Sequence, residues 1–204
     1  MLNKWADLFH SIGIKPNAFD IDSFAGLNAF GYDHEPEGSR VEAIVNFGHS
    51  RSHITFVRDG NYHSTRELKG VSVQSLIKSL SRKLNVQPED AALAMQGDIS
   101  RVPQDRYILA YDQAVNDLSK AVSQAISFFQ SLSSGRNVDK VNLIGGGSYC
   151  RKLDQVLAGK LSLDVEIKNP LKSLPIAVKS MVSQSQQEEG SKYSVALGLA
   201  MRKG

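Results

Sequence analysis

The longest hydrophobic pattern in this chain is a stripe of apolar residues that recurs alternately every four and every three positions. It lies in the segment 105–132 and predicts one long helix, which the sequence Ser133-Ser134-Gly135 ends. Because the stripe lacks a sustained charge code at the flanking positions, we favour a helix packed on a sheet over a coiled coil. The members of the stripe are Tyr111, Val115, Leu118, Val122, Ala125, Phe129 and Leu132.

Shorter stretches predict the remaining elements. Helical spacing of apolar residues predicts helices at 2–11, 23–30, 72–83, 88–95, 148–161 and 193–202. Short apolar or alternating runs predict strands at 18–22, 41–47, 53–58, 61–67, 140–144 and 163–167. Two polar stretches separate these elements: 31–40 is the best internal boundary, and 182–191 predicts a mobile loop.

The order of the strands indicates the fold class. The pair Asp59-Gly60 is a strong hairpin signal between the second and third strands of the set 41–67, and a glycine turn joins the first to the second. These strands predict a three-stranded antiparallel meander. From 140 to 167 the order strand, helix, strand predicts a parallel crossover. We therefore predict an α/β fold, a meander that continues into β-α-β and is flanked by helices, as in one half of a sugar-kinase or actin-type cleft and unlike a Rossmann fold.

Composition narrows the class of protein. The 204 residues suit one large domain or two small ones, and a net charge of +3 without a run of Lys or Arg argues against a nucleic-acid partner. No stretch approaches the about 20 apolar residues of a membrane-spanning helix, and the N-terminus lacks the apolar core of a signal peptide. The one cysteine, Cys150, fits a reducing compartment and is expected to be buried rather than nucleophilic. We therefore expect a cytoplasmic protein.

Two widely separated glycine turns carry the candidate chemistry. The first contains Gly48 and lies between two strands; the second is Gly145-Gly146-Gly147-Ser148, where a strand ends and a helix begins. Glycines let the backbone approach a phosphate or a base, with N–H groups free to donate, and a helix N-terminus favours an anion. For the second turn alone, a tight strand-to-helix connection is an equally good interpretation. Together, the two turns suggest a split nucleotide cleft.

Other motifs are weaker. Gly190-Ser191-Lys192 lacks the earlier glycine of a phosphate-binding P-loop. His49 and His53 lie across a hairpin turn rather than on a helix, which favours solvent-facing histidines over a metal site. Asp20 and Asp22 point to the same side of the predicted strand and could coordinate Mg²⁺, but a structural role at the strand end is favoured.

The sequence resembles the PilM family, the actin-like proteins of type IV pilus assembly, along essentially the whole chain. Each motif is moderately specific, and their collinear order makes the resemblance. The matching segments are Gly13-Ile14-Lys15-Pro16 with 19–25, Ala43-Ile44-Val45-Asn46-Phe47-Gly48, Asp59-Gly60 with Thr65-Arg66-Glu67-Leu68, Leu143-Ile144-Gly145-Gly146-Gly147-Ser148, and Tyr193-Ser194-Val195-Ala196-Leu197-Gly198-Leu199-Ala200-Met201-Arg202.

This resemblance implies a bilobed actin-like ATPase fold of the ribonuclease H-like class, with ATP and Mg²⁺ between the lobes. It implies a cytoplasmic protein that is recruited to the inner membrane, binds the cytoplasmic tail of PilN together with other pilus assembly proteins, and supports twitching motility. It divides the chain into 1–40, a remnant of the first lobe and connector; 41–181, the second, nucleotide-binding lobe; and 182–204, a loop and C-terminal helix that returns to the first lobe.

The resemblance also implies which parts are missing and which residues meet the nucleotide. The first phosphate loop and the groove for the PilN tail would precede the region that matches Met1, so we expect both to be absent. The residues expected to face the phosphates are Asn46, Gly48 and Ser52, and those expected to border adenosine are Gly145, Gly146, Gly147 and Ser148.

The chain departs from the family pattern in its chemistry. Asn46 replaces the acid of the second phosphate motif, and an amide can neither act as a base nor supply the negative charge that surrounds Mg²⁺. Ser52 stands where the motif has threonine, and 91–95 lacks the Glu and Lys that related filament proteins use to hold ribose and base. We therefore expect weak or lost binding of ATP and Mg²⁺, no efficient enzyme, and a scaffold role.

Two alternatives remain open at this point. One is another actin-like adaptor, of the FtsA cell-division type or of a type II secretion system. The other is a sugar-kinase-type phosphotransferase, for which Asp22 is the only placed catalytic candidate and the chain is short for a substrate lobe.

Overall fold

A five-stranded mixed sheet forms the centre of the computed structural model, which describes residues 2–33, 40–173 and 182–202. The strands stand in the order β3-β2-β1-β4-β5. β1 pairs antiparallel with β2 and parallel with β4, so the predicted meander and the predicted parallel crossover are joined through β1. The strands are β1 (Val41–Phe47), β2 (Ser52–Arg58), β3 (Asn61–Glu67), β4 (Lys140–Ile144) and β5 (Asp164–Ile167).

The burial of each strand follows its place in the sheet. All seven residues of β1 are buried, as expected of a central strand that is covered on both faces. β3 is polar and mostly exposed because it lies at the edge of the sheet. The Asp59-Gly60 turn joins β2 to β3, with both residues at positive φ as this type of two-residue hairpin requires.

One face of the sheet carries the main core and a layer of helices. Odd-numbered residues of β1 and even-numbered residues of β2 face this layer. The ring of Phe56 stacks on that of Phe129 with the centroids 4.4 Å apart, which fixes the long helix against the meander. The helices of the layer are α3 (Val73–Leu84), α4 (Pro88–Gln96), α5 (Gln104–Leu132) and α6 (Leu153–Leu161).

The opposite face of the sheet is covered by α2 (Asp22–Asp33), against which α8 (Ser194–Ala200) packs. The two helices approach so closely that a Cβ on Gly198 would overlap the carbonyl oxygen of Ala25, which explains the glycine at this position. Before them in the chain, α1 (Leu2–Ser11) has no buried residue. A five-residue helix, α7 (Gln184–Glu188), leads into the C-terminal pair of a 3₁₀ turn and α8.

Three predicted elements differ from the structure. The run 18–22 is not a strand: the carboxylate of Asp20 accepts from the amide of Ile21, and α2 begins directly at Asp22. The helix predicted at 148–161 is broken, with a 3₁₀ turn at 146–149 and α6 only from Leu153, because Lys152 has a left-handed backbone conformation.

The third difference concerns the polar stretch 182–191, one of the two that were predicted to separate the elements. Much of 182–191 is helical rather than a mobile loop, since Ser183 and Gln186 form a capping box that starts α7. Of the predicted boundary 31–40, residues 31–33 belong to α2, and 34–39 lie outside the described residues.

Candidate functional site: two glycine turns and a cleft

The two glycine turns lie side by side, at the carboxyl ends of the adjacent parallel strands β1 and β4. Asn46 is in register with Ile144, and Gly145 follows immediately. A Cβ on Gly145 would overlap Oδ1 of Asn46, so the asparagine side chain rests directly on the second turn. The structure thus brings together residues that are far apart in sequence and that we predicted to share one site.

The first turn keeps its backbone amides without hydrogen-bond partners in the described chain. The carbonyl oxygens of Gly48 and His49 accept hydrogen bonds from the amides of Val73 and Gln74, at 3.0 and 2.9 Å, which anchors the turn on the start of α3. Within the described chain, no backbone amide of residues 48–51 donates to another residue. Amides without partners in consecutive residues are donors that an anion can use.

Asn46 and Ser52 lie on opposite faces of the sheet. Ser52 pairs with Phe47, whereas Asn46 pairs with His53, and paired residues of an antiparallel ladder share a face. The hydroxyl of Ser52 is fully buried and has no hydrogen-bond partner within the described chain. The residue still lines the cleft described below, but its side chain does not share the face of Asn46.

The second turn is held from the C-terminal segment. The amide of Gly145 donates to the carbonyl oxygen of Ser191 at 3.1 Å. The hydroxyl of Ser148 is buried and donates to the carbonyl oxygen of Gly145 at 2.7 Å and to the hydroxyl of Ser191 at 3.2 Å. Ser148 therefore stabilises the conformation of the turn from its buried side. Its hydroxyl proton is already used in these hydrogen bonds.

The neighbouring glycines of the second turn have different surroundings. A Cβ on Gly147 would overlap the ring of Phe47 and approach Val73 closely, so this glycine is required by packing. A Cβ on Gly146 would meet only the side chain of Lys192, at 3.9 Å. Gly146 is exposed and is the member of the turn that a bound molecule can reach.

A cleft of about 580 Å³ lies beside the first turn. Asn46 and the turn residues form one side, and the segment before α2 and the edge of β3 form the other. Its carboxylates are Asp20, Asp22 and Glu67, but Asp20 is paired with Arg202 at 2.9 Å. Asp22 and Glu67 therefore supply the negative charge that faces the cleft, and among the described residues that line it Arg51 is the one Lys or Arg.

Sequence reasoning assigned no site role to Arg51 and Glu67, and it misjudged two further residues of this region. His53 is half-buried in the cleft rather than solvent-facing; burial lowers its pKa, and the charges of Asp22 and Glu67 oppose this shift. Lys192, dismissed with the incomplete P-loop, lies over Gly146 and 5.8 Å from the centre of the Tyr149 ring. The register of the predicted hairpin, in which His53 pairs with Asn46, could have placed His53 on the face of the site. No local signal in the sequence could have placed Lys192.

Three further features of the described residues concern Cys150, groups that could bind a metal ion, and helices that could span a membrane. Cys150 is buried, as predicted, and burial raises the pKa of its thiol to about 12, which disfavours the reactive thiolate. Among the described residues, no group of three or more His, Cys, Asp or Glu side chains is arranged to hold a metal ion. Every helix in the described ranges is too short or too polar to cross a bilayer.

Comparisons with known proteins identify the family and the fold. A family model described as type IV pilus assembly protein PilM matches residues 2–204. A comparison with curated protein sequences finds no match. Among solved structures, a chain of a PilM-PilN type IV pilus biogenesis complex is similar with a TM-score of 0.78 and 23% identity. The match covers 98% of this chain and 57% of that one.

Two other solved structures share the fold at lower identity. Ethanolamine utilization protein EutJ from Carboxydothermus hydrogenoformans matches with a TM-score of 0.65 and 14% identity, over 95% of this chain and 57% of that one. MreB5 of Spiroplasma citri, bound to ADP, matches with a TM-score of 0.61 and 12% identity, over 100% of this chain and 67% of that one. These likenesses confirm the predicted actin-like α/β fold, and the family match shows that the chain belongs to the type IV pilus assembly protein PilM family.

Proposed function

We propose that this chain is an actin-like component of type IV pilus assembly that binds a nucleoside triphosphate in its cleft and hydrolyses it weakly or not at all. The observation that carries the proposal is the contact between Asn46 and Gly145, which joins the two glycine turns at one edge of the sheet. Ligands of open α/β sheets bind at the carboxyl ends of the parallel strands, where these turns lie.

The first turn is the proposed phosphate side. The free amides of residues 48–51 and the guanidinium of Arg51 are the donors available to phosphate oxygens. Mg²⁺ is commonly held by substrate phosphates with one or two carboxylates, and Asp22 and Glu67 are the carboxylates that could take part. Mg²⁺ would neutralise phosphate charge. Because these two carboxylates are few ligands for the ion, we expect it to bind weakly.

The second turn is the proposed adenosine side. Gly146 offers an open surface, with the aliphatic part of Lys192 beside it. The helix that corresponds to the base-binding helix of related filament proteins is α4, whose inward residues Ala91, Ala94 and Met95 are packed in the core. Because residues 91–95 of α4 include neither a Glu nor a Lys for the ribose and base, we expect low affinity for the nucleoside.

The weak hydrolysis follows from the amide at Asn46. A side-chain amide can orient water by hydrogen bonds, but it cannot accept a proton from an attacking water as a carboxylate can. A positioned base typically contributes about 100-fold or more to a rate. We therefore infer that the nucleotide would serve as a ligand of the scaffold rather than as a substrate that is turned over rapidly.

The scaffold role, its partners and its location rest on family membership. We propose that a PilN-type membrane protein and other pilus assembly proteins hold the chain in the cytoplasm at the inner membrane, in support of twitching motility, through contacts outside the PilN-tail groove, which is expected to precede the region that matches Met1. We further propose that residues 1–40 and 182–204, which include the packed pair α2 and α8, belong to a first lobe, and that residues 41–181 form the second. Co-purification of the full chain with PilN would support the partnership, and its absence would contradict it.

Isothermal titration calorimetry tests nucleotide binding. We expect ATP in millimolar Mg²⁺ to bind the full chain, and Arg51→Ala to weaken binding about tenfold because one cation that faces the phosphates is lost. The matched control is Arg82→Ala, which removes an exposed arginine on α3 outside this cleft. No heat of binding at millimolar ATP, or an equal loss in both variants, would overturn the proposal.

A further inference from the structure

The helix α3 and the residues that flank it carry a concentration of positive charge. The segment 68–88 contains four Lys or Arg residues and no Asp or Glu. These cations are Lys69, Lys78, Arg82 and Lys83, and all four are exposed. Because the whole chain has a net charge of +3, the residues outside this segment sum to a net charge of −1. The positive charge of the protein is therefore concentrated at α3.

These four cations form no ion pair within the described chain. Lys83 donates to the side-chain amide oxygen of Gln113 at 3.1 Å rather than to a carboxylate. On the neighbouring helix α6, by contrast, Lys160 is paired with Asp112 of α5 at 2.9 Å. The charge around α3 is thus left without an acidic partner from the described residues, and it can attract an acidic partner from outside the chain.

A groove of about 400 Å³ lies between α3 and α5. Its cations are Arg82 and Lys83, and its one carboxylate is that of Asp117. Ser79 and Gln113 complete the lining with neutral hydrogen-bonding groups. A chain that enters this groove would therefore meet two positive charges, one negative charge and two polar side chains.

A smaller groove of about 190 Å³ lies on the other side of α3, between the start of the helix and the first glycine turn. Its cations are Lys78 and Arg51, and its one carboxylate is that of Glu67. Gln74 and Ser75 also line it. On both sides of α3, positive charges therefore outnumber negative ones, and polar side chains lie between them.

The surface of α3 favours a protein segment over a membrane or a nucleic acid. Its exposed positions are Gln74, Lys78, Arg82 and Lys83, which offer no apolar side chain to enter a bilayer and no aromatic ring to stack on bases. The serines of the two grooves are half-buried, where an extended chain can reach them and a flat bilayer cannot. At 1.5 Å per residue, the stretch 74–83 is about 14 Å long, which is the length of about four residues of extended chain.

We propose that α3 and the grooves beside it bind an acidic, extended segment of a partner protein. Carboxylates of that segment pair with Lys78, Arg82 and Lys83, and its backbone forms hydrogen bonds with the polar side chains of the grooves. Because exposed ion pairs are individually weak and are screened by salt, we expect weak association that disappears at high ionic strength.

Fluorescence anisotropy of a labelled peptide of alternating Glu and Ser tests the proposal on the full chain. The site variant is Lys78→Gln with Arg82→Gln. The matched control is Lys4→Gln with Arg106→Gln, which removes the same charge from exposed positions outside the grooves. Circular dichroism of each variant confirms that it is folded.

We expect the parent and the control to bind the peptide at low salt, and the site variant to bind it about tenfold more weakly. A peptide with Gln in place of Glu should not bind, and about 0.5 M salt should abolish binding of the acidic peptide. An equal loss in both variants would overturn the proposal, since it would show that net charge rather than α3 is recognised. No binding by the parent would overturn it too, as would tighter binding to phosphatidylglycerol vesicles or to oligo-thymidylate than to the peptide.

Discussion

The two glycine turns end neighbouring parallel strands, yet each is held in place by different means. The first is fixed through its carbonyl oxygens, which accept from the start of α3, while the amides of residues 48–51 have no hydrogen-bond partner in the described chain. The second is fixed through packing and through the C-terminal segment: Gly147 fits against Phe47, and Ser191 bonds both Gly145 and Ser148.

This difference separates three glycines that look equivalent in the sequence. Gly145 has a φ of 86° and lies against Asn46, so both its backbone conformation and its lack of a side chain are needed. Gly147 is needed for packing alone, and Gly146 alone faces open space. A glycine-rich motif is therefore not one functional unit, and a substitution at each position tests a different property of the turn.

The largest expected effect is on stability, at Gly147. The change Gly147→Ala places a methyl group against Phe47 and Val73, and we expect a loss of about 3 kcal/mol in the free energy of unfolding. Urea unfolding followed by circular dichroism measures it. The control is Gly159→Ala in α6, where no atom lies within 4 Å and helix propensity should add about 1 kcal/mol. Equal stability of Gly147→Ala and the parent would contradict the packing role.

The second prediction places an acid at position 46, beside the first turn. We expect Asn46→Asp to raise the rate of ATP hydrolysis about 100-fold, because the carboxylate can act as a base that the amide cannot replace. Phosphate release under saturating ATP measures the rate. Asn137→Asp, which adds the same charge at an exposed position outside the cleft, should leave the rate unchanged. A rate that stays at the parent level in Asn46→Asp would mean that Asn46 does not limit hydrolysis.

The third prediction separates binding from stability within the second turn. We expect Gly146→Val to weaken ATP binding about tenfold, which corresponds to about 1.4 kcal/mol, because its side chain would occupy the open surface beside Lys192. The free energy of unfolding should change by less than about 0.5 kcal/mol. Calorimetry and urea unfolding measure the two quantities. Gly31→Val, at an open position in α2, controls for the added β-branched side chain, and unaltered ATP affinity in Gly146→Val would remove this glycine from the site.

The smallest expected effect is a pH dependence at His53. Burial lowers its pKa below the ordinary value of 6.5, so the unfolded chain takes up the proton more readily than the folded one. The contribution of the neutral imidazole is complete above pH 6.5 and is lost as the pH falls through the lowered pKa. Relative to His53→Gln, the parent should therefore lose stability from pH 7.5 to pH 5. The control is His49→Gln, at an exposed position in the same turn; a parallel pH profile for parent and His53→Gln would contradict the assignment.

Local signals predicted most of the fold. The bounds of β1, β3 and β4 agree with the sequence prediction, and the Asp59-Gly60 turn forms as expected, since alternation and hairpin turns depend on neighbouring residues. The run 18–22 was predicted wrongly as a strand because its alternating pattern does not show whether a partner strand exists. The segment 182–191 was predicted wrongly as a loop because the capping box of Ser183 was overlooked among polar residues.

The candidate site was less predictable than the fold. The sequence indicated both turns, but it could not show that the side chain of Ser52 lies on the opposite face of the sheet from Asn46, because one residue of register decides this. Nor could it place Lys192 beside Gly146, since that approach depends on how the C-terminal segment returns to the sheet.

By itself, the sequence determined the strand-turn units, the long helix and the presence of an amide rather than an acid at position 46, because hydrophobic period, glycine content and residue type can be read from the residues themselves. Only the tertiary structure decided that Asn46 touches Gly145, that Gly146 is the open glycine and that Gly147 is locked against Phe47. These contacts form because β1 and β4, which are distant in the chain, pair in parallel. The packing of side chains across that pair depends on both segments at once, so neither segment alone predicts it.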